Sequence, residues 1–178
     1  TGDLKMNNVS VNWSNPYENK EGCWLKGNLH AHCIPESPCA SINLETILSA
    51  YVEKKYDFLS ISDHLAVTYP QENRLTLLPG IEWNSRGGYM SSTVQTQYDH
   101  IGIYGIEQNH AQESLRYRTL VELLKDHNKQ TIRIANHPDW LAEGHFDCNT
   151  LMRFASALDG IEIYNYSIEM DEGQADTT

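Results

Sequence analysis

The sequence predicts an α/β domain built on parallel strands, and three observations carry the prediction. At 178 residues with 40% hydrophobic content, the chain is long enough for one compact domain with a core and too short for two. Short, branched apolar segments alternate along it with segments whose apolar residues recur at helical spacing. Several histidines stand just past the predicted carboxyl ends of the strands, where parallel α/β folds place their active sites. An open doubly wound sheet and a (β/α) barrel both fit this order. No GxGxxG follows any of the strands, so the dinucleotide-binding open sheet has no support.

Taken in order, residues 1–22 are polar with isolated aromatics and read as an N-terminal arm, with the domain proper at 23–178. Residues 24–29 read as a short strand. Asn43 is a candidate N-cap for a helix whose stripe is Leu44, Ile47, Leu48, Tyr51 and Val52. Strands are expected at 57–62, 75–81 and 100–106, each short and rich in branched residues. A second helix is expected over 112–127 on the stripe Tyr117, Leu120, Val121 and Leu124. A strand at 131–135, a helix carrying Leu151, Phe154, Ala155 and Leu158, and a strand at 160–164 complete the series.

Charge narrows the function classes. Thirteen basic against 24 acidic residues give a net charge of −11, and no basic cluster exceeds the pair Lys54-Lys55. Long nucleic acid, which needs a basic surface, is disfavoured as a partner, although bound divalent cations reverse the local sign of a site. No run of 18 apolar residues exists, so no membrane-spanning segment is expected. Cys23, Cys33, Cys39 and Cys148 form neither a CxxC pair nor a disulfide framework and read as ordinary thiols.

The chemistry lies in the histidines. In His30-Ala31-His32, residues two apart in an extended backbone point to one face, so both imidazoles reach one metal ion; an incidental pair is the competing reading. His64, next to Asp63, reads either as a ligand oriented by a carboxylate or as a hydrogen-bonded core residue. Glu82 emerges from an apolar strand, and a buried charge needs a partner, for which a cation is the obvious choice. His100 begins a strand. His137, between Asn136 and Pro138, is a pinned ligand or a turn histidine. His110, His127 and His145 sit in polar or helical surroundings and read as solvated. Together the strand-end imidazoles and the carboxylate exceed what one tetrahedral site uses, which points to two or three divalent ions, with N/O donors suited to zinc, iron or manganese. No nucleophile elbow, phosphate-cradling glycine loop or HExxH helix is present.

The ordered series Gly27-Asn28-Leu29-His30-Ala31-His32, Ser62-Asp63-His64, Pro79-Gly80-Ile81-Glu82, His100, Asn136-His137-Pro138 and Gly160-Ile161-Glu162 resembles the polymerase and histidinol phosphatase (PHP) superfamily of metal-dependent phosphoesterases. The resemblance covers residues 24–166. It implies a distorted seven-stranded (β/α) barrel in which His30, His32 and Glu82 share one metal. Glu82 bridges to a second metal held by His100 and His137, and His64 belongs to a third, with Asp63 as an orienting carboxylate. Two departures stand out. The acidic residue usual soon after the HxH has only Glu36 as a loose substitute, and no late Asp-x-His follows Gly160. The expectation is therefore a barrel lacking its C-terminal strand or strands, in a chain that is part of a longer protein.

The expected function is hydrolysis of a phosphate ester, of a small phosphorylated metabolite, sugar phosphate or nucleotide, by a metal-activated hydroxide, with Glu82, His137 and Asp63 as catalytic residues. The alternatives are a metal-dependent hydrolase of a non-phosphate bond and a catalytically degraded metal-binding module.

Overall fold

The computed structural model describes residues 15, 18, 21–72, 74–84, 99–106, 131–140, 145–166 and 168. The first part keeps the expected strand–helix–strand order. Strand β1 (Gly27–Asn28), helix α1 (Leu44–Glu53) and strand β2 (Phe58–Leu59) form a strand–helix–strand unit with β1 and β2 parallel. Asn43 caps the helix, its side-chain oxygen accepting from the Thr46 N–H at 2.9 Å. The helix buries Ile47 and Leu48 against Cys33, Leu59, Ile61 and Leu75, each such side chain stabilising by about 2 kcal/mol.

The expected strand over 75–81 is two strands in two sheets. Strand β3 (Thr76–Leu77) adds to β2 in parallel, completing the sheet β1-β2-β3. Pro79 has no N–H to continue a ladder, and its carbonyl instead accepts from the Gly105 N–H at 2.8 Å. Beyond it, β4 (Gly80–Asn84) opens a second sheet with β5 (His100–Tyr104), β6 (Ile132–Ala135) and β7 (Gly160–Ile161), in the order β4-β5-β6-β7.

This second sheet overturns the expected seven-stranded (β/α) barrel. The β4/β5 and β5/β6 ladders are antiparallel, only β6/β7 is parallel, and both sheets are open. The helices described include α1, the short α2 (Cys148–Phe154) and the 3₁₀ turn Ala155–Ala157, and Tyr166 and Ile168 are also helical. Glycine placement gives a physical reason for the antiparallel register. It sets Gly80 opposite Tyr104, with Gly102 two residues away on the same face. A Cβ on Gly80 would meet the Tyr104 ring at 2.7 Å, and one on Gly102 would meet its hydroxyl at 2.1 Å. The two glycines make the slot in which Tyr104 is buried. Strand–helix alternation carries no information about such a slot.

The other elements are shorter than expected. The strand over 24–29 shrinks to β1, leaving Trp24 and Leu25 exposed, and the strands over 57–62, 131–135 and 160–164 contract to β2, β6 and β7. The helix around Leu151 begins at Cys148 and is capped by Asp147, whose carboxylate accepts from the Thr150 N–H at 2.6 Å. The expected helix over 112–127, most of the arm over 1–22, and His110 and His127 lie outside the described residues.

Glu82 joins the two sheets. Its N–H approaches the Ser62 and Asp63 carbonyls at 3.1 Å each, and its carbonyl accepts from the Leu65 N–H at 3.0 Å, forming the parallel bridge His64↔Glu82. One core lies below each sheet, and the seam between them carries the site. Trp83, Ile81, Ile101 and Ile103 anchor the second core.

Candidate metal centre

Backbone direction alternates along β4, so Ile81 and Trp83 enter the core while Glu82 faces the other way. Its side chain is 1% exposed and sits among imidazoles. Oε1 lies 3.2 Å from His30 Nε2, 3.3 Å from His100 Nδ1 and 3.3 Å from His137 Nε2. Oε2 lies 3.1 Å from His32 Nε2 and 3.3 Å from His64 Nδ1. The Asn136 amide donates to Oε1 at 2.8 Å. The six ligands read from the sequence thus converge from four places: the turn after β1, the bridge segment, β4 with β5, and the end of β6.

The spacing suits a cation. Donors about 2.0–2.1 Å from a tetrahedral zinc lie about 3.3 Å apart. His30 Nε2 and His32 Nε2 face each other at 3.1 Å, and the carboxylate contacts span 3.1–3.3 Å. Ligand-competent trios are His30, His32 and Glu82; His64, Glu82 and His100; and His32, Cys39 and His64. This buried His/Glu cluster could hold a metal ion. The carboxylate contacts divide the imidazoles differently from the grouping implied by the resemblance, placing His30 with His100 and His137 on one oxygen, and His32 with His64 on the other.

Charge is distributed unevenly. Burial works against a proton on His30, but Glu82 and Glu162 outweigh it and raise its pKa to about 10. Burial lowers His64 to about 4 against the pull of Glu82, with neighbouring imidazoles adding to the fall, and it also lowers His137. Although wholly buried, Glu82 is held well below the usual carboxylate range by His30 and His100.

Supporting groups fix the rings. Glu162, just past β7, approaches His30 Nδ1 at 3.1 Å and accepts from the His137 N–H at 2.8 Å. His137 has φ 29°, a left-handed conformation that costs a non-glycine residue about 1 kcal/mol. Besides Glu162, the Trp140 N–H holds its carbonyl at 3.0 Å, and His145 Nε2 lies 3.0 Å from His137 Nδ1. His145 is therefore buried at the site, correcting its reading as solvated. Its polar flanking sequence gives no sign of this burial.

Asp63 does not touch the cluster. Wholly buried, it accepts from Cys33 N–H at 2.8 Å, Ser37 Oγ at 2.6 Å, Cys33 Sγ and Thr68 Oγ1. The Ser37 hydroxyl in turn accepts from the His64 N–H at 3.0 Å and lies 3.2 Å from His32 Nδ1. Asp63 thus anchors the loop after the HxH and acts on His32 through Ser37. Glu36 is exposed on that loop.

Glu162, Asn136 and Cys39 were not assigned as site residues from the sequence. Glu162 carried the same signal as the histidines, a polar residue immediately after a strand, and Asn136 adjoined one of them. A cavity of about 850 Å³ opens above the cluster, lined also by Tyr51, Tyr56, Trp140, Tyr164 and Tyr166. No Lys or Arg is among its described lining residues. No protein-family model matches the chain, and no curated protein matches it.

Proposed function

We propose that this protein is a metal-dependent hydrolase that cleaves a phosphate ester of a small molecule. The observation that carries the reading is the Glu82 carboxylate, wholly buried, with five imidazole nitrogens within 3.3 Å of its two oxygens beneath an open cavity. His30, His32, His64, His100 and His137 are the residues to hold two or three divalent ions, with Glu82 between them. Divalent ions in such a site supply a water of lowered pKa and neutralise charge on phosphoryl oxygens.

The chain's own residues do the rest. Glu162 and His145 orient His30 and His137, and Asp63 orients His32 through Ser37. Tyr51, Tyr56, Trp140, Tyr164 and Tyr166 give the non-phosphate part of the substrate aromatic surfaces to pack against.

Elemental analysis of purified protein, wild type against His32→Ala and Glu82→Ala, tests the site. Two or more equivalents of zinc, iron or manganese, reduced by both substitutions, are expected. Metal-dependent turnover of an aryl phosphate in preference to the matching carboxylic ester and amide tests the reaction. Well-folded protein without tightly bound metal would refute the proposal, and turnover of the ester or amide alone would refute the phosphate assignment.

A further inference from the structure

We infer that Cys39 is a thiolate ligand, joining His32 and His64 to hold a thiophilic cation of the zinc class at the cavity side of the centre. The inference rests on the metal-centre reading above and adds a donor of a different chemical kind. One ligand atom from each of the three residues lies within 4.8 Å of the others. The His32 and His64 rings stack face to face at 4.6 Å with an interplanar angle of 15°, and the Cys39 thiol lies beside their ligand nitrogens.

The loop is built to bring the sulfur there. Asp63 clamps Cys33 and Ser37, the Ser37 N–H donates to the Cys33 carbonyl at 2.9 Å, and the Ala40 N–H donates to the Ser37 carbonyl at 3.0 Å. These bonds turn the chain back on itself, so that Cys39 lines the cavity while Glu36 remains exposed outside its lining. Two imidazoles and one thiolate leave a position open for water or substrate, and sulfur favours zinc, cobalt or cadmium over magnesium or manganese. On binding, the thiol proton passes to solvent.

Cobalt(II) substitution of the full chain reads this directly. Ligand-field bands in the visible report occupancy of the His/Glu cluster, and a near-ultraviolet thiolate-to-cobalt charge-transfer band reports sulfur ligation. The expected result is both bands in wild type and in Cys148→Ser, with the charge-transfer band lost and one equivalent less cobalt bound in Cys39→Ser. Visible bands without charge transfer in wild type would overturn the Cys39 assignment while leaving the His/Glu centre standing. Charge transfer that persists in Cys39→Ser would also overturn it, and the absence of every band would overturn both readings.

Discussion

Metal affinity should climb steeply with pH, because His30 must surrender a proton before its Nε2 can bind a cation. His30 lies between Glu82 at 3.2 Å and Glu162 at 3.1 Å, and these carboxylates raise its pKa to about 10 against the effect of burial. At about pH 7.5 that proton therefore costs a bound cation on the order of 3 kcal/mol, or roughly 300-fold in affinity. The cost diminishes as pH rises towards the folded pKa, so affinity should strengthen about tenfold per pH unit from roughly pH 7 to 9.

Glu162→Gln makes the prediction sharper. It removes one of the two carboxylates that retain the proton, which helps a cation at neutral pH, and it weakens the hold on His30 Nδ1, which hurts at every pH. Losing an orienting partner of this kind costs about 10–100-fold. The variant's deficit should therefore be small near neutrality and widen towards its full value at alkaline pH. Zinc titrations against a chromophoric chelator, corrected for the chelator's own protonation, measure the affinity. Calorimetry in two buffers of different ionisation enthalpy counts the protons released. A flat affinity profile with no proton released near pH 7.5, or a Glu162→Gln deficit that does not change with pH, would refute the reasoning.

Three further outcomes are expected. Glu82→Gln keeps the size of the side chain and an acceptor for the Asn136 amide but removes the charge, so bound metal should fall by at least one equivalent and hydrolysis to background; elemental analysis and an aryl phosphate assay check both. Asp63→Ala strands the donors of Cys33 and Ser37 in a buried site and should cost about 3 kcal/mol in urea denaturation, accompanied by weakened metal binding, because the HxH loop loses its anchor. Gly80→Ala places a methyl carbon 2.4 Å from Ser60 Oγ and 2.7 Å from the Tyr104 ring and should cost about 1–3 kcal/mol; unchanged stability would contradict the antiparallel register that puts Gly80 against Tyr104.

Much of the site was legible because ligand chemistry leaves local marks. An HxH at a strand end presents two rings on one face, and a lone glutamate within an apolar strand is an unpartnered charge that a fold must answer. Helix α1 was equally legible, since an Asn cap and an apolar stripe are properties of adjacent residues. The supporting residues were harder to find. His145 stands among polar residues, Cys39 enters through a turn that no periodicity announces, and Asp63 adjoins His64 in sequence yet spends most of its hydrogen bonds on a loop 26 to 30 residues away.

The sequence by itself determined which side chains offer donor atoms, the net charge of −11, and where the first crossover helix begins, because these follow from residue type and near-neighbour spacing. Only the tertiary structure decided strand direction in the second sheet, the break at Pro79 and the seam that gathers five imidazoles around one carboxylate. Those depend on which distant glycines leave room for Tyr104 and on which backbone groups Glu82 finds beside it, contacts between residues far apart in the chain.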